Sequence, residues 1–392
     1  MGHAENPSSN SDINSQVTNR NRINVSPVPN ISRRAFVQSS MALSSGIALT
    51  CLDGGDVFSA TPCFADEVDS ADAVSSGAET EKLMYTMKTA GASGAVKVAS
   101  IAIDVDSSPD GKDVVTRMLE WVDKAADEGA RLVVFPECSF GTGCTDANGY
   151  MEAVTGIVPA DEKRDLYKEG LVEDQETTQV FLKKAAERNI YIVFNTYECD
   201  HAAVPPTLYN VSALVGPEGF VGKYRKVHMP GGETLLARPG DGYPVFETAI
   251  GRIGILICFD FAFPEAHRCL ALNGAEIIVI STAAPLSNLE NPEADDGLDF
   301  LHAQIKASSY ANNVYYVVSN NANPGALGHS MICGPNGKFL AETEGFGEGM
   351  AIADLGIVSE ELLEARIFGN CGLNVLKARE PQTYGRVCDP IR

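Results

Sequence analysis

Three side chains in this sequence have the types that covalent acyl-transfer chemistry needs: Cys258, Lys226 and Glu137. A thiol is a strong nucleophile only as its thiolate, so it needs a base to take its proton or a cation to hold its charge. A carboxylate supplies the first and an ammonium the second. The same ammonium stabilises the negative oxygen that develops in a tetrahedral intermediate. Taken singly, each residue also has a plainer reading. Free cysteines are among the most buried residue types, and the chain has ten. Glu137 also reads as a solvated charge at a strand end, and Lys226 as an ordinary surface lysine.

The elements that must position these residues are legible from hydrophobic patterning. Residues 252–257 form a short aliphatic run flanked by Gly251 and interrupted by Gly254, which suits a buried strand that stops at Cys258. Residues 131–135 form a second such strand, which stops at Pro136-Glu137. Lys226 follows the hairpin of residues 210–215 and 219–223, joined by Gly216-Pro217-Glu218-Gly219. All three polar groups therefore stand at strand ends, where layered α/β folds place their sites.

The remaining pattern supports that class. A strand at 96–105, a helix at 114–128 ended by Gly129, and the strand at 131–135 make a strand–helix–strand unit. Further helices are expected at 179–188, 264–273 and 303–312. Further strands are expected at 190–196, 243–249, 275–281 and 314–319, with a hairpin over 330–352 around Pro335-Asn336-Gly337. Residues 231–242 read as a loop.

Composition sets limits. The chain has 392 residues, 44% hydrophobic and 21% charged, with a formal net charge of −22. That charge disfavours nucleic acid and anionic membrane surfaces as partners. No run of 18 apolar residues follows the N-terminal region, so no integral membrane domain is expected. Residues 1–30 are polar and rich in Asn and Ser. Ser32-Arg33-Arg34-Ala35-Phe36-Val37, the apolar run from Met41 to Leu52, and Cys63-Phe64-Ala65 then give the three regions of a signal peptide in order. The arginine pair resembles a twin-arginine export signal, with Val37-Gln38 where Leu and Lys are common. The expected organisation is a signal peptide with a disordered extension over 1–65, a linker over 66–95, and one catalytic domain over 96–392. The implied location is periplasmic or extracellular, with export through the twin-arginine machinery. If the arginine pair is accidental, the protein is cytoplasmic.

Phe135-Pro136-Glu137, Tyr224-Arg225-Lys226-Val227-His228 and Ile257-Cys258-Phe259-Asp260, in that order, resemble the nitrilase superfamily of carbon–nitrogen hydrolases. The resemblance runs from about Val96 to Tyr384. It implies a four-layer αββα sandwich and a Glu–Lys–Cys triad, with Glu137 as general base, Lys226 as oxyanion-stabilising group and Cys258 as nucleophile. Glu233, ahead of Arg238-Pro239-Gly240, matches the family's second glutamate. The implied reaction forms a thioester on Cys258 and needs no metal or cofactor. Lys226 and the Phe259 N–H would hold the oxyanion, and Glu137 would pass the proton to the leaving amine and then activate water. His228 and His267 show no ligand spacing with other residues and read as structural. By the same resemblance the chain is expected to assemble as a homo-oligomer.

Substrate clues are few. Phe259, Asp260, Phe261, Thr282 and Ala283 are the candidate substrate-binding residues. Residues 259–263, just after the nucleophile, include no arginine, which by the same resemblance counts against N-carbamoyl amino acids. Phe259-Asp260 replaces the Trp-Glu common in true nitrilases. The expected substrates are small linear amides or N-carbamoyl amines. The alternatives are nitrile hydrolysis, or a binding protein that kept the fold and lost the chemistry.

Overall fold

Period-two alternation in the first strands decides the layering. In β1 (Val96–Ala102), β2 (Leu132–Val134), β3 (Tyr191–Asp200) and β4 (Thr207–Gly216), successive side chains serve two different cores. Val98, Leu132, Val134, Val193 and Leu214 share one core with the aliphatic residues of a second sheet. Ala99, Ile101, Val133, Ile192, Phe194, Ala213 and Val215 pack instead on helices α1 (Val114–Asp127) and α2 (Glu176–Arg188), through Met118, Val122, Phe181 and Ala185. Strands buried on both faces read as continuous apolar runs, which is how they stood in the sequence.

This computed structural model describes residues 95–107, 111–139, 170–231, 233–286, 296–356, 375–376 and 378–389. All belong to the unit Lys82–Arg392. The expected signal peptide and most of the expected linker lie outside the described residues.

The first sheet is completed by β5 (Gly219–Arg225) and by β12 (Gly349–Leu355), in the order β12-β1-β2-β3-β4-β5. The second contains β6 (Val245–Thr248), β7 (Gly251–Ile257), β8 (Ile277–Thr282), β9 (Tyr315–Asn320), β10 (Met331–Cys333) and β11 (Phe339–Glu342), in the order β11-β10-β9-β8-β7-β6. Each has parallel strands at its centre, β1-β2-β3 and β7-β8-β9, with antiparallel strands outside. Two reciprocal hydrogen bonds stitch the sheets together: Ser100 Oγ to Val318 O and Ser319 Oγ to Ile101 O, both 2.6 Å.

Helices α4 (Pro264–Leu272) and α5 (Asp296–Asn312) cover the second sheet through Ala266, Leu270, Leu301 and Ile305. Gly254 allows α4 to sit close, since a Cβ there would lie 2.9 Å from Leu270 Cδ2. The result is the expected α/β arrangement, two sheets between flanking helices.

Three expectations are corrected. The hairpin over 330–352 contains only β10 and β11; β12 leaves it and pairs antiparallel with β1 in the other sheet, Val96 opposite Leu355. The supposed loop 231–242 holds a single helical turn, α3 (Glu233–Leu236), too short to show periodicity. Helix α5 begins seven residues before Ala303, where Asp296 and Asp299 suit the positive end of the helix dipole.

Candidate active site

Each site residue is held by the backbone around it. Glu137 lies three residues beyond β2, and its N–H donates to Thr282 O at 3.3 Å. Cys138, at φ +57°, turns the chain there and donates its N–H to Asn195 Oδ1 at 2.8 Å. Lys226 directly follows β5; its N–H donates to Asn210 O at 2.9 Å and its carbonyl accepts from the Gly240 N–H at 2.8 Å. Glu233 opens α3, whose N–H donates to Pro230 O at 3.0 Å. Cys258 follows β7 at φ +42°, and the chain passes at once into a 3-10 turn, Cys258–Ala262, and then α4. The left-handed backbone makes a sharp elbow that takes the thiol off the strand axis.

The side chains converge. Lys226 Nζ donates to Glu137 Oε1 and to Glu233 Oε2, both at 2.7 Å, and all three residues are buried. Asn210 Nδ2 bridges the same carboxylates, 2.9 Å from Glu137 Oε1 and 2.7 Å from Glu233 Oε1. Carboxylates only accept, so the amide must present its NH2 to them. Its Oδ1 then faces Asn195 Nδ2 at 2.8 Å, and Asn195 Oδ1 takes the Cys138 N–H. A relay of two amides thus fixes the orientation of the site from the turn that carries Glu137.

The electrostatics follow from this packing. Burial alone would lower the pKa of Lys226, but the Glu137 and Glu233 charges outweigh it and hold the ammonium well above its ordinary value. Burial raises Glu233, and Glu137 adds to the rise; Lys226 and Asn210 pull the other way without overcoming it. The Cys258 thiol is pushed up to about 12, first by burial and then by the Glu137 charge, while Lys226, Thr282 and the Ala283 N–H favour the thiolate. At neutral pH the thiol therefore carries its proton. Nucleophilic use of Cys258 requires that proton to be taken as the reaction proceeds, and a carboxylate within Coulombic reach is the group able to take it.

Of the remaining expected residues, Thr282 ends β8 and Ala283 follows it, beside Cys258. Phe259 is exposed and meets Phe263 edge-on at 5.2 Å. Phe261 is buried and packs near Phe300. The Asp260 carboxylate is buried and faces Tyr224, His228 and Ile257. His228 stacks on Phe263 with centroids 3.7 Å apart. His267 is buried between Tyr316 OH and Phe261 O, both 2.8 Å away, and burial lowers its pKa. Among the described residues no group of three or more His, Cys, Asp or Glu side chains is arranged to hold a metal ion. Sequence reasoning missed Asn195, Asn210 and Tyr197, whose OH lies 3.5 Å from Glu233 Oε1. Asn195 and Asn210 lie on paired strands, and their spacing in the sequence gave no sign that they would meet.

Comparison with known proteins identifies the family and the fold. A family model described as carbon–nitrogen hydrolase matches residues 97–361. A nitrilase of Pyrococcus abyssi is 32% identical over 239 residues, 60% of this chain and 80% of that protein. An omega-amidase of Homo sapiens is 28% identical over 69% of this chain and 91% of its own length. The crystal structure of a carbon–nitrogen hydrolase from Helicobacter pylori shares the fold, with a TM-score of 0.62 and 21% identity over 76% of this chain and 99% of that one. With its two sandwiched sheets and a lysine, two glutamates and a cysteine at their mouth, this chain belongs to the carbon–nitrogen hydrolase family of the nitrilase superfamily.

Proposed function

We propose that the protein is a cysteine-dependent hydrolase of non-peptide carbon–nitrogen bonds, acting on a small linear amide or N-carbamoyl amine. The observation that carries this reading is the buried Lys226 ammonium, held 2.7 Å from both Glu137 and Glu233 while it also acts on the Cys258 thiol. Glu137 takes the thiol proton as sulfur attacks the carbonyl carbon. Lys226 and the Phe259 N–H receive the negative charge on oxygen. The first N–H groups of a helical turn have no partner within it, and Phe259 lies in the first turn after Cys258. The tetrahedral intermediate collapses to a thioester, and the proton held by Glu137 leaves with ammonia or amine. Water, deprotonated by Glu137, then attacks the thioester and frees the acid and the thiol. Glu233 and Asn210 keep Glu137 and Lys226 in register through both steps.

The test is ammonia or amine release from a panel of short aliphatic amides, ω-amides of dicarboxylic acids, N-carbamoyl amines, N-carbamoyl amino acids and nitriles, each beside Cys258→Ala. Release from amides or N-carbamoyl amines that disappears in Cys258→Ala supports the reading. Turnover of nitriles alone replaces the substrate class. Turnover retained by Cys258→Ala overturns the nucleophile. Silence across the panel, with Cys258 inert to iodoacetamide, favours a catalytically silent scaffold.

A further inference from the structure

Cys258 and Lys226 belong to different sheets. One follows β7 of the second, the other β5 of the first. Their separation therefore depends on what ties the end of β5 to the turn after β7. One side chain gathers the hydrogen bonds of that tie.

Asp260, the third residue of the nucleophile's turn, has a fully buried carboxylate that takes four hydrogen bonds. Oδ2 accepts from Tyr224 OH at 2.8 Å and from the Ile257 N–H at 3.1 Å. Oδ1 accepts from the His228 N–H at 2.8 Å and from His228 Nδ1 at 2.9 Å. Tyr224 OH itself accepts the Val227 N–H at 3.3 Å. Tyr224, Val227 and His228 bracket Lys226 on both sides. The His228 ring also stacks on Phe263, which lies just beyond the same turn.

A helix-capping role explains only the bond from Ile257. The other three donors come from the segment that carries Lys226. A buried carboxylate is expensive to keep away from water unless every lone pair is used, and here it is spent on one junction between the sheets.

We infer that Asp260 is a positioning residue that fixes the Lys226 ammonium against the Cys258 thiol, and that it does not touch substrate. This rests on the reading above, in which Lys226 serves the sulfur. Without the four-way tie, the segment at 224–228 moves relative to the elbow at 258, and the ammonium loses its hold on the thiolate. Displacements of about an ångström in such sites lower rates on the order of a hundredfold.

The experiment compares Asp260→Asn, Tyr224→Phe and Lys226→Gln in the full chain. The readouts are the rate of iodoacetamide labelling of Cys258 at pH 8.5, followed by peptide mass spectrometry, and the split of kcat from KM on whichever amide is turned over. Asp260→Asn keeps the size of the side chain but offers an NH2 to one of the donor pairs. The expected result is a severalfold slower labelling of Cys258, because a thiol that has lost its cation presents less thiolate. A fall in kcat with KM changed less than about threefold accompanies it. Tyr224→Phe shifts both in the same direction by less. A merely structural carboxylate would lower the melting temperature and leave the labelling rate and kcat of the folded protein as they were, and that result overturns the proposal. If Asp260→Asn does not fold, Tyr224→Phe decides by the same two readouts. Lys226→Gln separates the two levels. If it slows labelling while Asp260→Asn and Tyr224→Phe do not, only the positioning role fails. If it leaves labelling unchanged, the coupling of Lys226 to the sulfur fails, and the positioning role falls with it.

Discussion

The backbone N–H of Glu137 donates to the carbonyl of Thr282 across 3.3 Å. The first residue follows β2 of one sheet and the second ends β8 of the other. This bond brings the carboxylate of one sheet to the thiol of the other, because Thr282 and Ala283, after Lys226, are also among the groups that favour the Cys258 thiolate. The Asn321 N–H donates to the same carbonyl at 3.1 Å, so the end of β9 is tied in as well.

Asn210 is the amide on which both carboxylates depend. Asn210→Ala takes a charge-assisted bond from each and leaves Asn195 Nδ2 without one of its acceptors. A buried polar group that loses its partner costs about 1–3 kcal/mol. Expressed in the transition state, that lowers kcat about 5- to 150-fold. Steady-state kinetics checks it, with circular dichroism confirming the fold.

Lys226→Met removes the cation between two buried carboxylates. The variant is expected to lose activity and about 3–5 kcal/mol of stability, the usual result of stripping one partner from a buried ion pair. Glu233→Gln then recovers part of that stability in the double variant, because one carboxylate no longer faces the other. Urea unfolding of the two single variants and the double variant measures both effects.

Glu342 accepts from His302 Nε2 at 2.7 Å and His329 Nδ1 at 2.9 Å. Burial would raise its pKa, but the two imidazoles overcome that and bring it to about 2. A carboxylate depressed in the folded state contributes stability that is present above its unfolded pKa of 4.5 and lost as pH falls towards 2. Glu342→Gln should therefore flatten the fall in urea midpoint between pH 4.5 and 2. An unchanged slope refutes the assignment.

Export is tested on the N-terminal segment. Arg33→Lys together with Arg34→Lys should leave the precursor in the cytoplasm, read by fractionation and by the size of the chain. Normal export of the double variant would exclude the twin-arginine route.

The strand ends of the site were legible in the sequence because an aliphatic run that stops at a polar residue marks both the strand and the group it presents. That logic found Glu137 and Cys258, and the hairpin before Lys226. Asn210 was hidden, since an amide inside a strand carries no sign of the carboxylates it will bridge. The place of β12 was hidden too. Periodicity identifies a strand but not its partner, and the partner of Gly349–Leu355 is some 250 residues earlier in the chain. Asp260 stood beside the candidate nucleophile and so read as a substrate contact. The 3-10 turn faces its carboxylate inward, and turns that short leave no trace in hydrophobic spacing.

The elbow at Cys258 sets two demands on one position. At φ +42° the backbone favours a residue without a Cβ, and an L-residue in that region is held at a cost of about 1–2 kcal/mol. The most comfortable occupant of position 258 is therefore glycine, which has no sulfur to attack with. Whatever this protein's stability, some of it has been surrendered where the proposed nucleophile sits, and a variant that gives up the thiol there stands to be the sturdier molecule.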